Sequence, residues 1–174
     1  MQKTVYLTIT VVLVVAILVA GFKIFDYSMI PKVYRHQSIS FINQSIKWSD
    51  SINRVKSRLG ECSVTTDSFN DSKTYKFQSS YAACPVDIFF KTPFHFSKHI
   101  SDVTYVFHAS KDTYQVIHEK IKEELKNECR QRNIPIETDN ERIFEASKSD
   151  SIYAITYTVS SEDADIILNI SLQY

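Results

Sequence analysis

The chain has 174 residues and balances 20 Lys and Arg against 20 Asp and Glu, so it lacks the clustered basic excess that a nucleic-acid partner requires. Its hydrophobic content of 44% and aromatic content of 13% indicate a folded chain and not a disordered tail. With glycine only at Gly21 and Gly60, no phosphate-cradling loop, dinucleotide fingerprint or nucleophile elbow can be built, which excludes nucleotide-driven enzymes and the common serine-hydrolase design.

Residues 4–22, TVYLTITVVLVVAILVAGF, run nineteen positions without a charge. At about 1.5 Å per residue a helix over them measures roughly 28 Å, close to the hydrocarbon thickness of a bilayer. A cleaved export signal has a shorter apolar core, about 7–15 residues, with a small-residue site after it. Ala20 and Gly21 are small, but the apolar run fills the whole stretch, so an uncleaved signal-anchor, a single-pass transmembrane helix, is expected over residues 4–25. Lys3 stands ahead of the run like a positive n-region, whereas Lys23, Lys32 and Arg35 follow it, so the basic count alone does not set the orientation. The order of the segments places residues 1–3 in the cytoplasm as a tail. Residues 26–37 are then a linker, interrupted by Pro31, and residues 38–174 a single extracytoplasmic domain, periplasmic or extracellular, tethered to the cytoplasmic membrane.

Within that domain Ile39, Ile42, Ile46, Ile52, Val55 and Leu59 recur at helical spacing, predicting a serine-rich helix that starts near Ser38 and ends at Gly60. Three short strands follow, CSVTT, KTYKFQ and VDIFFKT, then a loop around Pro93 and a fourth strand, DVTYVFHA. A second helix is expected from about residue 111 to 132, with Ser110 or Asp112 as cap. Its apolar stripe is Tyr114, Ile117, Ile121, Leu125 and Cys129, and its other face, with Glu119, Lys122, Glu123, Lys126 and Arg130, reads as solvated. Pro135 closes it, and RIFEAS, IYAITYTVS and DIILNISLQ finish the chain as strands joined by short polar links. The expected fold class is α+β, two helices packed on one face of a mainly antiparallel sheet.

Three cysteines allow three single disulfides outside the cytoplasm. Cys62 and Cys84 both flank strand-like segments and are the expected pair, with Cys129 turned into the core by its helix. No spacing is a C-x-x-C or zinc pattern, and no metal or cofactor is expected. The loop PFHFSKHISDVTYVFHA carries the densest chemistry, with His95, His99 and His108 close in sequence and Asp102 among them. Two imidazoles and a carboxylate on one helix face would hold zinc, but Pro93 and the flanking strands make this segment extended. His118 and Glu119, adjacent on a helix, point about 100 degrees apart and do not converge on one atom.

Function follows as an expectation. A membrane-tethered, non-catalytic protein-binding module fits best, an envelope accessory or a toxin-neutralising immunity-type protein, with Phe94 and Phe96 and the neighbouring His95 and His99 as its contact loop. The alternative is an exported metal- or thiol-dependent hydrolase using His95, His99 and His108. The partners expected are the membrane, through the single anchor, and a protein; nucleic acid and nucleotides are not.

Overall fold

A computed structural model describes residues 2–30, 32–39, 45–67, 72–92, 99–149, 154–162 and 165–173. The chain opens with α1, Gln2–Met29, followed by the single turn α2, Lys32–Arg35, and the short helix α3, Ile52–Leu59. Four strands come next: β1 (Ser63–Thr66), β2 (Lys73–Tyr81), β3 (Cys84–Lys91) and β4 (Asp102–His108). The long helix α4, Tyr114–Arg132, then leads into β5 (Ile136–Asp139), β6 (Phe144–Ser149), β7 (Ala154–Glu162) and β8 (Asp165–Gln173).

All eight strands join one antiparallel sheet in the order β1-β2-β3-β4-β8-β7-β6-β5. Two four-stranded meanders, each preceded by a helix, therefore meet along their last strands, β4 and β8, where Tyr105 opposes Leu168. The fold is α+β, as the order of sequence patterns implies.

Alternation along each strand builds one buried face from Tyr75, Phe77, Val86, Ile88, Phe90, Val103, Tyr105, Phe107 and the β8 series Ile166, Leu168, Ile170 and Leu172. Helix α4 covers this face with Ile117, Ile121, Leu125 and Cys129, spaced three to four residues apart so that they share one side. Each large side chain so buried stabilises the domain by about 1.5–3 kcal/mol. Asn133 in the left-handed conformation (φ 53) and Pro135 two residues on stop α4, while Ser110 and Thr113 exchange side-chain bonds at its start.

Four expectations need correction. Among the described residues of the predicted 38–60 helix, 52–59 alone are helical; Ile39 and Ile46 are buried, but through an extended contact in which Ile39 N–H donates to Ile46 O at 2.7 Å and Ser38 bridges Lys47. Apolar spacing alone cannot distinguish the two, and serine competes with helix by bonding nearby backbone. Ile42 lies outside the described residues. Secondly, Ile30 and Tyr34 of the expected linker are buried in the core, and Arg35 holds the turn by donating to Ile30 O at 2.8 Å. Thirdly, the polar flank of α4 is not all solvated, because His118 and Lys122 are buried. Fourthly, all three cysteines are free thiols. Extending the β1–β2 register places Cys62 beside Phe77, which pairs with Ile88, four residues from Cys84. The two cysteines are thus two strands apart and offset by about 13 Å along them. A disulfide needs Cα atoms within about 7 Å.

Helix α1 stands apart from the sheet. Every described side chain over residues 8–22 is exposed, and no side of the helix is more polar than another. Among the described residues no helix is long and apolar enough to cross a membrane; the unbroken run of described side chains in α1 covers residues 8–22 alone.

Candidate functional site on the open face of the sheet

The sheet face turned away from α4 carries Lys76 and Gln78 on β2, Asp87 on β3, Thr104 and His108 on β4, and Asp165, Asn169 and Ser171 on β8, with half-buried Phe89, Val106 and Ile167 among them. Antiparallel sheets commonly leave one face wet in this way. The register brings four charges, far apart in sequence, into one line across four strands. Lys76 Nζ lies 2.8 Å from Asp87 Oδ2, His108 Nε2 lies 3.0 Å from the same oxygen, and His108 Nδ1 lies 3.0 Å from Asp165 Oδ1. Beyond this line Thr104 donates to Asn169 Oδ1 at 2.7 Å, and Ser171 donates to Asp102 Oδ1 at 2.7 Å.

The electrostatics follow from the geometry. The hydrogen bond to Asp87, followed by that to Asp165, raises the His108 imidazole above its usual range against a partial desolvation. Burial pushes the Asp87 carboxyl up, but Lys76 and His108 outweigh it and hold the group below the ordinary carboxylate range. A doubly bonded imidazolium has both N–H groups committed and no lone pair with which to take a proton or bind a metal. Cys84, the thiol closest in the chain to this end of β3, is on the buried face, where burial and then Asp165 push its pKa up. The line laces four strands together and presents charge on the open face.

Beside Lys76 the face dips into a shallow cavity of about 450 Å³ lined by Glu61, Cys62, Ser63, Lys76 and Gln78. It sits at the β1 edge of the sheet.

Of the histidine loop, the described members His99 and His108 do not converge. Phe94, His95 and Phe96 lie outside the described residues. His99 precedes β4, where it bridges Ser51, and His108 is the last residue of β4, so the strand's length of about 20 Å separates them. Asp102 is bonded by Ser101 and Ser171. Among the described residues no group of three or more His, Cys, Asp or Glu side chains could hold a metal ion.

A second polar cluster joins α4 to the end of β5. Lys122 Nζ donates to Asn140 O at 2.7 Å and meets Asp139 Oδ1 at 2.8 Å, while Lys126 meets Asp139 Oδ2 at 2.8 Å. Lys122 and then Lys126 hold Asp139 below its usual carboxylate range. Next to it His118 is fully buried, stacked on Tyr114 with ring centroids 5.6 Å apart, and neither ring nitrogen has a hydrogen-bond partner. Glu119 Oε1 stands 3.8 Å from Nδ1, too far to bond. Burial, followed by the charge of Lys122, lowers the pKa of His118. At the other side of α4, Tyr81 donates to Glu124 Oε1 at 2.5 Å and Lys120 lies over the Tyr81 ring. The sequence signalled neither cluster, since each pairs α4 with residues from a distant strand.

No family model, no curated protein and no solved structure matches this chain.

Proposed function

We propose that the protein is a membrane-tethered, non-catalytic protein-binding module whose α+β domain lies outside the cytoplasm. The observation that carries this reading is the surface of α1: large apolar side chains are exposed all round it, from Ile9 through Leu13 and Leu18 to Ile24. A helix apolar on every side belongs in a membrane or in the core of a large protein. Among the described residues nothing covers the side chains of residues 8–22, and nineteen uncharged residues within α1 match the hydrocarbon thickness.

The non-catalytic part of the reading is supported by the state of the reactive side chains. His108 has both nitrogens engaged, the Cys129 thiol is pushed up to about 11 by burial and Glu128, and burial also raises Cys84, so none of these groups is poised to react. Phe94 and Phe96, flanked by His95 and His99, remain the candidate contact loop of this reading. A reporter active only outside the cytoplasm, fused after Tyr174, tests the placement. Activity supports it, and a silent reporter on a stably expressed fusion overturns it.

A further inference from the structure

The two edges of the sheet are built differently. Exposed edges offer unpaired amides and carbonyls, and proteins guard them with charge, proline or a bulge. At β5 all three guards are present: Pro135 precedes the strand, the register shifts between Ile136 and Thr138, and Glu137 and Asp139 stand along it. At the opposite edge β1 reads Ser-Val-Thr-Thr, has none of these, and exposes all four residues. Its Val64, Thr65 and Thr66 are β-branched, the type that favours strand pairing.

The register shows which backbone groups are open. Thr92 N–H donates to Lys73 O, so Lys73 and the alternate residues of β2 turn their backbone toward β3, while Ser72, Thr74 and Lys76 turn toward β1. Asp67 N–H donating to Ser72 O agrees with this. Ser63 opposes Lys76 and Thr65 opposes Thr74, so these two bond β2, and the N–H and C=O groups of Val64 and Thr66 point away from the sheet. Among the described residues nothing pairs with them.

Charge selects the occupant. The carboxylates of Glu61 and Asp67 bracket β1, and the Lys76 ammonium that shares the cavity with Glu61 is held by Asp87. A second copy of β1 paired antiparallel about Val64 would set Glu61 against Asp67 at both ends, and like charges directly opposite destabilise a ladder. An extended segment with a basic residue at each end avoids this and places one of them over the cavity beside Glu61.

The geometry points to β1 as a strand-addition site: an extended, β-branched segment of another protein, flanked by basic residues, pairs its backbone with Val64 and Thr66 as a ninth strand. This rests on the binding-module reading and names the surface that reading needs.

The test uses the full chain in lipid nanodiscs and the capped peptide Lys-Val-Thr-Val-Thr-Val-Lys, with amide hydrogen exchange read at Val64 and Thr66. The proposal expects exchange at both amides to slow by roughly tenfold or more at saturating peptide, and no slowing with a peptide whose two Lys are Glu. Val64→Pro removes one outward donor without breaking a β2 bond and should abolish protection at Thr66. Should that variant misfold, Val64→Lys, which adds a guard charge at the same place, should weaken binding by a similar factor. Unchanged exchange with millimolar peptide, or equal protection by the acidic peptide, overturns the proposal. So does protection that rises with protein concentration in the absence of peptide, which would assign the edge to a second copy. Placement outside the cytoplasm is read separately by the reporter fusion, so a peptide that fails to bind leaves that part of the functional reading standing.

Discussion

His108 Nε2 and Asp87 Oδ2 lie 3.0 Å apart across the β3–β4 ladder, and the opposite ring nitrogen of His108 is held by Asp165 on β8. One histidine thereby ties three strands together from the solvent side, at the centre of a charge line that begins at Lys76.

The His108 imidazole should titrate above its ordinary value of about 6.5. Because the folded-state pKa is raised, the stabilisation is complete below that value and is lost as pH rises through the folded pKa. The side chain is 42% exposed, so solvent screening limits the effect to that of a surface pair, about 0.2–1 kcal/mol. Proton NMR of the imidazole Cε1–H measures the titration directly, and Asp87→Asn should shift it downward. A value at or below 6.5 in the unmodified chain would contradict the geometry.

His118 should behave in the opposite sense. Buried, with no partner for either nitrogen among the described residues, it has a pKa lowered by burial and then by Lys122, so the unfolded chain takes up a proton that the folded one resists. Stability should fall as pH drops below about 6.5 toward the folded value. His118→Phe keeps the stack on Tyr114 and removes two unsatisfied polar atoms, each worth about 1–3 kcal/mol. Urea unfolding at pH 5 should show the variant more stable than the parent; a less stable variant would mean that the ring nitrogens have partners.

Backbone conformation gives a paired prediction. Ala82 and Ala83 form the β2–β3 turn with φ of 48 and 65 degrees, in the left-handed region where an alanine Cβ crowds the carbonyl. Both central residues of such a two-residue hairpin need positive φ, and glycine or asparagine normally supplies it. Ala82→Gly and Ala83→Gly should each stabilise the domain by roughly 0.5–1 kcal/mol, after allowing for the greater freedom of glycine in the unfolded chain. Gly60 is the reverse case: at φ 87 and ψ −149 it occupies backbone space open essentially to glycine, with nothing within 4 Å of where a Cβ would stand. Gly60→Ala should therefore cost about 1–3 kcal/mol through conformation alone. Thermal melts of the three variants check all of this.

Thiol chemistry tests the corrected cysteine assignment. With Cys62 half-buried and Cys84 and Cys129 buried, a disulfide-exchange reagent should modify one thiol in the folded chain and three after denaturation without reductant. Two missing thiols in the denatured chain would restore a bridge.

Much of the fold was legible because alternation is a local signal. β3, β4 and β8 show apolar residues at every second position, β2 does so at Tyr75 and Phe77, and α4 shows its stripe at Ile117, Ile121 and Leu125. β5 was missed because Ile136–Asp139 has no alternation, being an exposed edge. The Ala82–Ala83 turn was missed because alanine is not a turn residue. The helix expected from Ser38 came from isoleucine spacing that an extended, packed segment satisfies equally well. Beneath it Asp50 is buried between Arg54 at 3.1 Å and Arg58 at 3.2 Å, an arrangement the sequence shows only as ordinary surface charge. The site was least legible of all, since Lys76, Asp87, His108 and Asp165 come from four strands and meet only through the register.

The central claim is that α1 holds the chain in a bilayer, and extraction of membranes with alkaline carbonate tests it most directly. The full chain should stay with the lipid pellet. Leu13→Arg together with Ile17→Arg, each costing about 2.5–3.5 kcal/mol at a helix centre in lipid, should move it to the supernatant. An unmodified chain recovered in the supernatant would contradict the account.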